Sequence, residues 1–365
     1  MRTANPRARS RRTSAILLSA VLAISALGVA ACGGSSSSGG ASTPAHGPLE
    51  QNHLRIGVPK DEIGALPIFT GVDKGYFKDQ GIDVTVDDSY PTYQAALKAL
   101  TDGKVDLVYD DYVHAILAQS TGTIRLQLVA EGYTAGDGSV QLLSKVTDNR
   151  SEAQIKAVFG AAGGFLTPMS GTGDADTEYT VPTVMLMTRL PDIANSLKIR
   201  ADATGEAHLK PMTANAIGDK LTGTADPNVA AVQPEPYFSF TAGNNKVVKL
   251  MDLTRGSTQA MPMGGYFTKQ DFAVTDVNLF KAFTTALNQA KAVTAQRATA
   301  MAEMQAHYGT MASSTVVANI SFGTFPTTVS VDRLGRVVTL MQGVGLAPYY
   351  NIDTMMPPDA ERGQG

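Results

Sequence analysis

The sequence predicts an α/β protein of two domains, each built on a mainly parallel sheet covered by helices. Three observations predict it. From Leu54 to Tyr133, short apolar strand-like runs alternate with helix-patterned runs, the order that gives parallel strands joined by crossover helices. A second stretch of the same kind runs from about Gln141 to Leu250. The chain has 365 residues, 43% of them hydrophobic and 17% charged, which is enough for two buried cores.

The chain begins with an address. Arg2 to Arg12 form a positive region, Ala15 to Ala31 an apolar run, and small residues lead into Cys32. This is the layout of a secretory signal over residues 1–31, and the apolar run is short for a permanent membrane span. The four residues Val29 to Cys32 resemble the bacterial lipobox, which implies cleavage before Cys32 and lipidation of its thiol. Arg11-Arg12 carries part of a twin-arginine export motif. Residues 32–53 then read as a tether, because a Gly/Ser-rich run cannot bury enough apolar area to offset its ordering entropy. The expected product is an extracytoplasmic lipoprotein, anchored to the outer face of the cell membrane through Cys32.

The first domain follows in order. "LRIGVP" (Leu54 to Pro59) is a strand, and a loop with Gly64 and Pro67 leads into a helix expected to reach about Gln80, with Phe69, Val72 and Tyr76 facing the core. "GIDVTVDD" is the second strand. Pro91 precedes the helix "TYQAALKALTDG", which Gly103 ends. "VDLVYDD" is the third strand, "YVHAILAQS" a helix and "IRLQLVAEGY" the fourth strand. In the middle region "TVPTVMLMTRL" (Thr180 to Leu190) is a helix, "KIRADA", "HLKPMTA" and "VAAVQP" are strands, and "IGDKLTG" is a helix. "MGGYFTK" returns the chain to the first domain, and helices follow as far as "VDRLGRVVTLMQ".

Several of these segments carry a resemblance. "GVDKGYFKDQGIDVTV" (Gly71 to Val86) resembles the helix–KGYF–strand signature of periplasmic solute-binding proteins, in the branch that takes nitrate, sulfonates, taurine and thiamine-pyrimidine precursors. "ALKALTDGKVDLVY" (Ala96 to Tyr109), "ADPNVAAVQPEPY" (Ala225 to Tyr237) and "LMQGVGLAP" (Leu340 to Pro348) resemble later segments of that family. The resemblance implies a type II periplasmic binding protein fold. Domain I would be 54–142 plus 256–365 and domain II 143–255, with two crossings near 140–145 and 252–262 forming a hinge. It also implies a monomer that captures a small solute and hands it to an ABC permease, with no cofactor.

Composition narrows the ligand. The net charge is −3, but without the five arginines of residues 1–31 the body has 25 basic and 33 acidic residues, a net of −8. An acidic body argues against nucleic acid as a partner. Cys32 is the only cysteine, so no intrachain disulfide forms. His46, His53, His114, His208 and His307 are scattered without zinc spacing, so no metal site is expected.

Ligands of open α/β sheets bind beyond the carboxyl ends of strands. That rule selects Lys60–Leu66, Asp110–His114, Tyr133–Ser139 and Glu235–Tyr237, with the Gly-rich run Gly160–Tyr179 as a fifth candidate. The expected ligand-binding residues are Asp61, Glu62, Asp110, Tyr112, Tyr133, Glu235 and Tyr237. Asp111 suits a helix cap, since the helix follows at once. The predicted rim also holds Asp137, Asp174, Asp176 and Glu178, and only Lys60 as a base. Such a rim favours a cationic amine or aminopyrimidine-type solute, backed by tyrosine faces at Tyr109, Tyr112, Tyr133, Tyr179 and Tyr237. The alternative is a sulfonate- or nitrate-type anion on the same fold. A non-transport sensor fits the same sequence. A pyrimidine-synthase-like enzyme would need a cysteine-rich motif, and no cysteine follows Cys32; no GxSxG elbow is present either.

Overall fold

The computed structural model describes residues 46–145, 165–169, 171, 179–196, 209–223, 230–243 and 247–362. Two five-stranded sheets organise them. The first has the order β2-β1-β3-β10-β4, from β1 (His53–Pro59), β2 (Asp83–Tyr90), β3 (Leu107–Asp111), β4 (Leu126–Thr134) and β10 (Pro262–Lys269). The second has the order β7-β6-β8-β5-β9, from β5 (Val140–Lys145), β6 (Phe165–Pro168), β7 (Leu209–Met212), β8 (Ala230–Pro234) and β9 (Val247–Asp252).

In each sheet four strands share a direction and one opposes them. β10 is antiparallel to β3 and β4, and β5 is antiparallel to β8 and β9. The reversed strands are the two that follow a crossing. The chain leaves β4 at Thr134 and enters β5 at Val140; it leaves β9 at Asp252 and enters β10 at Pro262. The first crossing therefore lies before the 140–145 stretch, whose residues are already paired in the second sheet. This arrangement turns the carboxyl ends of β1, β3 and β4 towards those of β6 and β8, with a cleft between.

The first-domain helices form where the sequence pattern places them, with one difference. The helix after β1 stops at Asp73 (α1, Leu66–Asp73), and a single turn follows (α2, Tyr76–Asp79). Gly75 between them sits at φ 78°, a left-handed conformation that glycine adopts without a Cβ penalty. The break leaves Val72 38% exposed while Phe69 and Phe77 stay buried. Thr92 caps α3 (Tyr93–Thr101), accepting from the Ala95 N–H at 3.2 Å. Asp106 precedes β3, and its carboxylate holds Arg55 through the backbone N–H, Nε and Nη2 at 2.7–2.9 Å. α4 (Tyr112–Ser120) follows β3 without a loop residue.

In the second lobe α5 (Val181–Ser196) and α6 (Ala214–Thr222) match the expected helices, and α7 (Tyr237–Ala242) follows β8. The expected strand "KIRADA" lies outside the described residues, as do Asp174, Asp176 and Glu178. After β10, the helices Val277–Thr294, Arg297–His307 and Val331–Gly343 pack back on the first sheet. Phe283 and Met304 join Leu54 and Ile56 on one face, and Val337 and Met341 join Val108 and Phe267 on the other.

One core group is a lysine. Lys291 is 1% exposed, and its Nζ donates to the carbonyls of Glu131 at 2.6 Å and Pro326 at 2.7 Å. Burial pulls its pKa down to about 7. Between that value and the free-lysine pKa the unfolded chain holds more protons, so stability rises with pH across this window. The slope is one proton, about 1.4 kcal/mol per pH unit. Urea melts from pH 7 to 10 should give the native chain a slope more positive than that of Lys291→Met by this amount.

Candidate functional site

The strand ends enclose a cavity of about 220 Å³. Its wall is drawn from both lobes: Pro59 at the end of β1, Tyr109 and Asp111 of β3, Tyr133 of β4, Pro168 of β6 and Pro234 of β8. Val140 and Met263, at the starts of the two reversed strands, complete the ring.

Four carboxyls border it: Asp61, Glu62, Asp111 and Glu235. Asp61 sits at φ 58°, a left-handed position that Asp tolerates better than most residues, and is 6% exposed. Burial raises its pKa, and Lys60 offsets part of that. Glu62 accepts from the Tyr93 hydroxyl at 2.5 Å and from the Gly64 N–H at 3.0 Å; burial raises its pKa despite these bonds. Glu235 accepts from the Ser239 N–H and hydroxyl and from the Ser321 N–H, and burial pushes it up to about 7. Asp111 accepts from the Val113, His114 and Val181 N–H groups, and burial pushes it up to about 8 against their pull. Among the described residues of the wall, Lys60 is the one base, and it is exposed.

The aromatic lining is tyrosine. Tyr109 is 1% exposed and its hydroxyl has no hydrogen-bond partner among the described residues. Its ring fits only because Gly64, Gly132 and Gly264 lack side chains: a Cβ there would approach its atoms to 1.9, 2.4 and 2.7 Å. The Tyr133 hydroxyl accepts from the Gly323 N–H at 2.6 Å, and that of Tyr237 donates to the Lys60 carbonyl at 3.3 Å.

Three of these contacts join the lobes. Asp111 of the first meets Val181 of the second, Glu235 of the second meets Ser321 of the first, and Tyr237 of the second meets Lys60 of the first.

Of the residues expected from sequence, the structure brings Asp61, Glu62, Tyr133, Glu235 and Tyr237 to one cavity. Asp110 and Tyr112 do not line it. Asp110 points to the opposite face of β3, where its oxygens lie 2.7 and 3.0 Å from Nδ1 of His114, and both residues are buried. Tyr112 packs edge-on against Phe267 in the core. Asp111, expected to cap its own helix, does so and also lines the cavity. Asp137 is exposed and pairs with Arg255, and Tyr179 packs against the core cluster. Tyr93 was missed. The signal was present, since it opens the helix after β2 just as Tyr112 opens the helix after β3.

Among the described residues, one histidine lies with two carboxylates as a group that could hold a metal ion. Nε2 of His307 lies 3.7 Å from both Asp73, at the end of α1, and Glu303, one turn earlier in its own helix, away from the cleft.

This architecture, two lobes joined by two crossings with strand ends facing across a cleft, is the type II periplasmic binding protein fold. Residues 63–143 match the family described as NMT1/THI5 like. No curated protein sequence matches the chain. Solved structures do. The ligand-binding component of an ABC-type import system from Staphylococcus aureus superimposes with a TM-score of 0.63 at 13% identity, over 86% of this chain and 100% of that one. The periplasmic aliphatic sulphonate binding protein SsuA from Escherichia coli gives 0.58 at 16% identity, over 81% and 91%. The periplasmic nitrate-binding protein NrtA from Synechocystis gives 0.60 at 11% identity, over 86% and 93%.

Proposed function

We propose that the protein is the extracytoplasmic solute-binding component of an ABC importer, capturing a small polar or charged solute in the cavity between its lobes and making or breaking no bond. The single observation that carries this reading is the cavity itself: the carboxyl ends of strands from two lobes wall one space with polar groups, and three hydrogen bonds cross the cleft beside it. Its volume lies below the roughly 300–1,000 Å³ of drug-sized sites, which suits a small solute. A solute touching both lobes favours the closed arrangement, the form a permease would recognise. The likeness to a ligand-binding import component supports the same reading. Cys32 would anchor the monomer to the membrane; no helix among the described residues is long and apolar enough to cross one.

The wall favours a ligand rich in N–H donors, a cationic amine or an aminopyrimidine. Four carboxyls face one exposed lysine, and the free Tyr109 hydroxyl offers both a donor and an acceptor. A second reading, a sulfonate or nitrate ligand, is favoured by the similar structures that bind those anions.

A thermal-shift and calorimetry series on the full-length chain in detergent separates them, with ethanolamine, putrescine and 4-aminopyrimidine against methanesulfonate, nitrate and bicarbonate. A ligand at a hundred times its Kd stabilises by about 2.7 kcal/mol. Stabilisation by the amine set is expected. Stabilisation by the anion set alone replaces the amine reading with the second one, and chemical conversion of a bound probe overturns the binding reading itself.

A further inference from the structure

Asp111 does more than begin a helix. As the N-cap of α4 its Oδ1 accepts from the Val113 N–H at 2.8 Å and the His114 N–H at 3.3 Å. Its two oxygens also accept from the Val181 N–H, at 3.1 and 2.9 Å, and Val181 is the first residue of α5 in the other lobe. One carboxylate, 2% exposed, thus faces the N-termini of two helices at once.

The first N–H groups of a helix have no partner within it and carry the positive end of its dipole, which makes them an anion position. α5 is 16 residues long and leaves that position to be filled from outside. Thr180, just before it, donates its hydroxyl to the Pro168 carbonyl at 3.1 Å, and Pro182 in the first turn has no N–H.

The other helix starts that border the cavity each have one first-turn N–H capped by a side chain. Thr92 accepts at the start of α3, Thr213 accepts from Ala216 N–H at the start of α6, and Glu235 accepts from Ser239 N–H in α7. At each of these starts one first-turn N–H is thus taken by the chain's own oxygen, and at α4, α5 and α7 that oxygen belongs to a carboxylate.

We propose that Asp111 sets the charge class of the solute: it fills the anion position at the start of α5 with the protein's own carboxylate, so that the closed site excludes oxyanions and takes cations or neutral donor-rich molecules. This rests on the reading of the cavity as the solute site. An oxyanion would have to displace Asp111 or stand beside it. Once Asp111 is ionised, above its pKa of about 8, two like charges about 4 Å apart at an effective dielectric of about 20 disfavour binding by roughly a thousandfold. An ammonium group meets no such cost, since it finds lone pairs that the backbone donors leave over.

The test titrates full-length wild-type, Asp111→Ala and Asp111→Asn with methanesulfonate, nitrate, acetate and ethanolamine at pH 9, where Asp111 is ionised and ethanolamine still largely protonated. The Asn variant keeps an acceptor for the helix starts without the charge, and so guards against loss of fold in the Ala variant. The wild type is expected to ignore the three anions. Asp111→Ala is expected to gain at least tenfold in affinity for them, acetate included as a replacement for the missing carboxylate. Asp111→Asn is expected to gain less, and both variants to lose tenfold or more for ethanolamine. Methanesulfonate or nitrate binding to the wild type, abolished by Gly64→Ala, overturns the proposal and leaves the cavity as the solute site. So does an unchanged ranking of probes in both variants. Binding that is indifferent to Gly64→Ala as well as to Asp111 removes the cavity reading itself.

Discussion

Gly64→Ala is expected to abolish solute binding and to lower stability by about 1–3 kcal/mol, the usual range for forcing a methyl group into a filled core. The new Cβ would stand 1.9 Å from the Tyr109 hydroxyl oxygen and 2.3 Å from Cζ. Tyr109 has no retreat on the far sides, because Gly132 and Gly264 already lie against its ring, and Tyr266 packs edge-on at 5.3 Å. A ring displaced towards the cavity it borders fills the space a solute needs. Calorimetric titration with whichever probe binds the native chain checks the first half, and urea melts check the second. Gly335→Ala is the control. Gly335 lies within the helix Val331–Gly343, with open space around its Cβ direction, so alanine there should stabilise by about 0.5–1 kcal/mol. Equal effects at the two glycines would refute the steric argument.

The largest loss of stability is expected from Arg333→Ala, about 3–5 kcal/mol, because it strands a buried carboxylate. Glu131 is 1% exposed. Its oxygens accept from Arg333 Nε at 3.0 Å, Arg333 Nη2 at 3.2 Å and the Ser330 N–H at 2.6 Å. Burial raises the Glu131 pKa and the guanidinium holds it down. Without Arg333 that pKa rises further. A carboxyl with a raised folded pKa contributes stability at low pH and loses it as pH rises through that pKa. The Arg333→Ala defect should therefore be smallest in acid and largest above neutrality. Glu131→Gln in the same chain should recover part of the loss. A defect independent of pH, and unrelieved by Gln, would mean that Arg333 acts through packing of its stem alone.

Much of the scaffold was legible because its signals are local. The alternation of apolar runs with helix-patterned runs marks β1 to β4 and their helices, and Pro91, Gly103 and the two acids at the end of β3 punctuate them. The helix after β1 was read too long, because Phe69, Val72 and Tyr76 keep a helical spacing through a glycine that reverses the backbone. The rule that ligands meet strand ends selected Asp61, Glu62, Tyr133, Glu235 and Tyr237, which share a wall. The same rule applied to Pro91–Tyr93 would have found Tyr93.

The two aspartates mark where local reading ends. By itself the sequence determined that a strand closes on Asp110 and Asp111, that the side chains alternate across the sheet and that one of the acids caps the next helix. It did not distinguish their partners. Asp110 turned to His114, four residues on and one helical turn away, a neighbour visible in the sequence. Asp111 reached Val181, 70 residues further along and in the other lobe. Only the tertiary structure decided that contact. Alternation and capping depend on the geometry of a few consecutive residues, whereas a cavity wall depends on two sheets, each carrying one reversed strand, facing each other across a cleft.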